Sequence, residues 1–157
     1  MNLVLKLKDI THNNIYFMEL VKNTVMDNSD FIRINYSNSL FITNGIHLEF
    51  ILNRVMLERY YSKYKCIYKL INNIPIIDEL TKLENKILLS YIKTFSKEKY
   101  YKINYKLKEQ LYSGSIKILS NGNINCNSSL GNKYILKISG VWDTGNEIGL
   151  TYKFLYN

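Results

Sequence analysis

ILKISGVWDTGNEIGLTYKFLYN, residues 135–157, decides the fold class. Together with the preceding Tyr134, it places Leu136 and Ile138 on one side of a strand, and Ile148, Leu150, Tyr152 and Phe154 on one side of a returning strand. A period of two belongs to extended chain, and Asp143 to Asn146 supply turn formers between the runs. The stretch reads as a hairpin whose apolar face builds core, with Lys137 and Lys153 on the opposite face. It also holds the only tryptophan, Trp142, beside the turn, where the ring can pack under the loop or meet a base.

The same period recurs outward from this hairpin. Leu3, Leu5 and Leu7 alternate with Val4, Lys6 and Lys8, which predicts an opening strand. DFIRINYSNSLFITNGIHLEFIL, residues 30–52, alternates around Ser37 to Ser39 and around Asn44-Gly45, a hairpin dipeptide, and predicts three antiparallel strands. In KYYKINYKLKEQL, residues 99–111, Tyr101, Ile103, Tyr105 and Leu107 fall on one side of a strand and Lys102, Lys106 and Lys108 on the other. SIKIL and INC flank a loop centred on Asn121-Gly122, and residues 125–132 read as a polar loop. Two segments have helical spacing instead. In residues 13–25 it is carried by Phe17, Leu20, Val21, Thr24 and Val25. In DELTKLENKILLSYIKTF, residues 78–95, it is carried by Leu80, Leu83, Ile87, Tyr91 and Phe95, with Asp78 as amino-terminal cap after Pro75. The sum is a mainly β chain with one or two helices and about eight short strands, a small Greek-key barrel or sandwich.

At 157 residues, 46% hydrophobic, without repeat or flexible linker, the chain is expected to form one domain, residues 1–157. No stretch approaches the length needed to span a bilayer, which predicts a soluble intracellular protein with no membrane partner. Cys66 and Cys126 lie far apart without a Cys-x-x-Cys spacing, so buried free thiols are expected rather than a disulfide or a zinc site. The formal charge of +8 favours an anionic partner such as nucleic acid, although a basic virion component would carry the same charge. The chain has 20 Asn, 21 Ile, 18 Lys and 14 Tyr against 3 Arg, 1 Pro and no Ala, a bias towards residues encoded by A and T. Single lysines therefore say little, and clustering has to carry the functional reading.

Two windows are clustered. Residues 53–70 and 93–108 hold eleven cations and two acids, which leaves the rest of the chain near neutrality, and they hold half of the tyrosines. Interleaved lysine and tyrosine suit single-stranded nucleic acid, because ammonium groups neutralise phosphates and release counterions while phenol rings offer faces to unpaired bases. Arg54, Arg59, Lys63, Lys65, Lys69, Lys102 and Lys106 are the expected phosphate contacts, and Tyr64, Tyr68, Tyr100 and Trp142 the candidate stacking platforms. A tyrosine stripe also fits a core with its hydroxyls at the rim.

Signals for catalysis are sparse. His12 and His47 stand alone without a Ser or Cys partner motif. GNEIGLT at residues 145–151 lacks the Gly-Lys-Ser/Thr ending of a phosphate loop, and the acids show no paired spacing that would specify a divalent metal. No enzyme activity and no cofactor are expected.

EQLYSGSIKI at residues 109–118 and ILKISGVWDTGNEIGLTYKF at residues 135–154, after the LxxLENKILLSY helix, resemble a family of single-stranded-DNA-binding proteins of nucleocytoplasmic large DNA viruses, distantly like the phage type built on an OB-fold. The likeness covers the chain from Leu80 onward. It implies an OB-fold-like Greek-key barrel with extra strands. It further implies sequence-independent binding of single-stranded DNA in viral replication, recombination or repair, in a viral factory or virion, with replication proteins or further copies of the chain as other partners. The phage relatives carry an acidic tail that docks replication partners, and KFLYN has none. The alternative expectation is a minor capsid or core structural protein of a large DNA virus.

Overall fold

The computed structural model describes residues 3–97, 101–120, 122 and 132–156. Tyr100, Cys126 and the strand expected at residues 124–126 lie outside them. The described chain is mainly β, with eleven strands in one open, barrel-like sheet. In chain order they are β1 (Leu5–Lys6), β2 (Ile15–Lys22), β3 (Asp30–Ser37), β4 (Ile42–Asn44), β5 (Ile46–Leu52), β6 (Met56–Tyr60) and β7 (Lys63–Ile67). Helix α1 (Ile74–Thr94), β8 (Lys102–Asn104), helix α2 (Lys106–Tyr112), β9 (Ser115–Leu119), β10 (Asn132–Asp143) and β11 (Glu147–Tyr156) follow.

The terminal hairpin, β10 and β11, is the spine of the sheet. β10 and β11 pair antiparallel from Tyr134↔Tyr156 to Asp143↔Ile148, as the alternation predicts. The sheet runs β1-β5-β10-β11-β9-β7-β6, with β3 joining the far half of β10, β2 and β4 flanking β3, and β8 joining β11. β10 changes partner along its length: residues 132–138 pair with β5, and residues 140–143 pair with β3. A register shift between Ile138 and Gly140 marks the change.

Gly45 makes the matching change on the other side. Instead of a hairpin at Asn44-Gly45, β4 and β5 are separated by this one residue at φ +81°, and the Gly45 N–H donates to the Ile34 carbonyl. The chain thus leaves β3 and joins β10 through a kink. A Cβ here would sit 2.8 Å from the Ile138 carbonyl oxygen, so glycine is required by both conformation and space.

Four further expectations are corrected. Residues 15–22 form a strand, β2, not a helix, and β1 is only two residues long before a 3-10 turn at Leu7–Asp9. The helix expected at residues 78–95 is present but begins at Ile74, with Pro75 in its first turn, so Asp78 lies inside it and accepts from Tyr112 Oη rather than capping. Residues 106–112 form α2, leaving only Lys102–Asn104 as strand.

The core lies on one face of the sheet under α1. Ile77, Leu80, Ile87, Leu88 and Tyr91 recur at three- and four-residue spacing and are buried with Ile32, Ile34, Leu48, Leu136, Ile138, Ile148 and Phe154. Tyr91, Phe17 and Phe95 form edge-on and tilted ring pairs at 4.8–6.0 Å, closing the carboxy-terminal end of α1 over β2.

Candidate nucleic-acid interface

β11 has different neighbours along the edge that faces away from β10. Its residues 147–149 pair with β8 and its residues 154–155 pair with β9, both parallel. Between these contacts the sheet splits, and α2 lies alongside the gap. The result is a groove of about 370 Å³ lined by Leu150 to Phe154, Gln110, Leu119 and four lysines, Lys63, Lys106, Lys117 and Lys153. Among the described residues no acidic side chain lines it.

Each lysine reaches the groove from a different element, which local structure explains. In β7 the exposure alternates as Lys63 out, Tyr64 in, Lys65 out, Cys66 in, and in β9 Ile116 and Ile118 go in while Lys117 goes out. The register sets Lys65 beside Lys117 and Lys63 beside Leu119. β11 buries Phe154 and exposes Lys153, which lies opposite Lys137 of β10. Lys106 opens α2, whose start is held by Glu84 of α1: Oε1 accepts from the Leu107 N–H at 3.0 Å and Oε2 from the Lys108 N–H at 2.9 Å. Burial raises the Glu84 carboxyl above its ordinary pKa against the pull of these two donors. Gln110 is fixed from the other side by Tyr152 Oη, which donates to its Oε1 at 2.7 Å.

Aromatic rings flank one end. Tyr60 and Tyr61, at the β6–β7 turn, are 55% and 84% exposed, stand edge-on at 4.9 Å, and have Lys117 Nζ 5.8 Å from the Tyr60 ring. These are the accessible tyrosines of the first basic window. Tyr64 and Tyr68 are not: both are buried in the core, and Tyr68 Oη donates to the Leu111 carbonyl at 2.6 Å, tying down the end of α2. Neither ring has a face open to a base, because the strand alternation that exposes Lys63 and Lys65 turns the tyrosines inward. Trp142 is mostly buried, and its remaining surface lines a cavity under the connection between β2 and β3. It lies on the sheet face opposite the core, over Gly149, where a Cβ would come within 2.5 Å of its ring.

Of the expected phosphate contacts, Lys63 and Lys106 line the groove, one from each basic window, and Lys65 lies on the same outward face. Arg54, Arg59, Lys69 and Lys102 are exposed but do not line it. Lys97, from the second window, is engaged elsewhere. It pairs with the buried Asp143 at 3.3 Å, where Tyr91 Oη also donates, and lies over the Tyr101 ring. Burial opposes ionisation of Asp143, but Tyr91, the Gly145 N–H and Lys97 together hold its carboxyl below the ordinary range. This cluster fastens the end of α1 to the terminal hairpin.

Sequence reading missed Lys117, Lys153 and Gln110 as groove residues. Lys117 and Lys153 did carry a signal, since each stands alone between apolar neighbours in IKI and YKF, the mark of an outward strand position. Which strands lie side by side carried none.

Cys66 is buried and free, and burial pushes its thiol up to about 11. Among the described residues no three His, Cys, Asp or Glu side chains are grouped to hold a metal, and no helix is long and apolar enough to cross a membrane. Fold and groove together define a mainly β protein with a basic cleft at a split in its sheet. No family model, curated protein or solved structure matches the chain.

Proposed function

We propose that the chain is a non-catalytic binder of single-stranded nucleic acid, with the strand seated along the β11 groove. The observation that carries this reading is the convergence of Lys63, Lys106, Lys117 and Lys153, from four elements, on one cleft with no acidic lining residue among the described residues. Four like charges in one cleft repel one another in the free protein, and an anionic backbone relieves that repulsion while releasing its own counterions. The cleft follows a strand edge and carries exposed rings at Tyr60 and Tyr61, which suits an extended chain with unpaired bases better than a rigid duplex. The likeness of residues 109–118 and 135–154 to viral single-strand DNA binders agrees with DNA as the ligand and with a role in replication, recombination or repair.

The test is a fluorescence-anisotropy titration of labelled oligothymidylate at low salt. Binding is expected with little preference between homopolymers, and Lys63→Glu with Lys117→Glu should weaken it by at least about tenfold. Absence of single-strand binding at low salt, or affinity unaltered in the double variant, would overturn the reading.

A further inference from the structure

A second cavity, of about 380 Å³, lies beneath the connection between β2 and β3, on the sheet face opposite the core. Trp142, Phe31, Val21, Met26, Arg33 and Thr151 are among its lining residues. Two glycines shape its floor. Trp142 lies over Gly149, and Phe31 lies over Gly140, where a Cβ would collide with the Phe31 ring and the Ile32 carbonyl. Both rings therefore rest on bare strand backbone. The registers set Trp142 opposite Phe31 and Gly149, and set Gly140 opposite Arg33 and Thr151, so a guanidinium and a hydroxyl flank the rings across three adjacent strands.

The roof is held by its own hydrogen bonds. Asn23 Oδ1 accepts from the Val25 and Met26 N–H groups, the Asn23 N–H donates to the Ser29 carbonyl, and Ser29 Oγ donates to the Met26 carbonyl. This arrangement leaves Val25 94% and Met26 38% exposed at the cavity mouth. With the rings of Trp142 and Phe31 they give the cavity an apolar lining that a flat, apolar-faced ligand would bury.

Thr151 lines this cavity and the lysine groove alike. Thr151 and Lys153 are two residues apart on one strand, about 7 Å, so the phosphate-binding and ring-lined sites adjoin. Among the described residues no acid lines the cavity, it carries Arg33 and Lys22, and its volume falls within the roughly 300–1,000 Å³ of small-ligand pockets.

We propose that this cavity receives a nucleobase from the same single strand whose phosphates occupy the lysine groove, an inference that rests on the function proposed above. The base inserts beneath the β2–β3 connection against Trp142 and Phe31, Val25 and Met26 close over it, and Arg33 donates to acceptors on its edge.

Trp142 is the only tryptophan, so its emission reports this cavity alone. Labelled oligothymidylate is titrated while label anisotropy and Trp142 emission are followed together, and a strand carrying 5-iodouracil is photocrosslinked and mapped by mass spectrometry. Quenching with the same midpoint as the anisotropy change, crosslinks at Trp142 or Phe31, and roughly fivefold weaker binding by Arg33→Ala are expected. Anisotropy binding without a change in Trp142 emission, or crosslinks confined to Tyr60 and Tyr61, overturns the cavity while leaving the groove reading in place. Failure of anisotropy binding overturns both.

Discussion

His47 carries a pH dependence that its neighbours dictate. Its ring is buried in β5, both nitrogens lack a hydrogen-bond partner among the described residues, and burial, then Lys137, then Lys153, lower its pKa below the ordinary 6.5. The unfolded chain takes up a proton near pH 6.5 that the folded chain refuses, so stability is complete above that value and is lost as pH falls below it. The urea midpoint of the wild type should therefore drop between about pH 8 and about pH 5.5, and that of His47→Leu should drop less. Glu84 shifts in the opposite sense, its raised pKa favouring the fold towards acid, but it is common to both proteins and cancels in the comparison. Equal drops would remove His47 from the account. At this scale the sequence was informative about direction but not about depth: outward lysines were legible in IKI and YKF, whereas Tyr64 and Tyr68 looked like ligands because burial depends on what covers a strand face.

Local period misled wherever a distant contact set the element. In β2 the register against β3 shifts between Phe17 and Leu20, and that irregularity spaces apolar residues three apart inside a strand, which imitates a helix. In residues 99–111 the alternation of Tyr101, Ile103, Tyr105 and Leu107 is real, yet α2 forms because the Glu84 carboxylate, on another helix, accepts two amide protons at its start. Glu84→Ala should strand those donors and cost roughly 2 kcal/mol in chemical denaturation. Amide exchange should quicken across residues 106–112 while β10 stays protected, and oligothymidylate affinity should fall because Lys106 and Gln110 lose their support. Exchange in α2 that follows β10 unchanged would show that the cap does not hold the helix.

For the whole molecule, the terminal hairpin was legible because its strands are consecutive, and the groove was not because its walls are not. β7, β9 and β11 become neighbours through an antiparallel and a parallel pairing separated by long stretches of chain, and no local pattern records such a choice. The two basic windows consequently contribute one groove lysine each, Lys63 and Lys106, while Lys117 and Lys153 come from outside them. This division separates a specific groove from a diffuse effect of the +8 charge. If each of the four lysines neutralises one phosphate, the logarithm of single-strand affinity should fall with the logarithm of salt concentration with a slope of about −3, at roughly −0.7 per contact. Lys63→Ala with Lys117→Ala removes two contacts and should reduce the slope to about −1.5. Lys69→Ala with Lys102→Ala removes the same formal charge outside the groove and should leave the slope near the wild-type value. Equal reduction by both pairs would mean that net charge, rather than the cleft beside β11, holds the strand.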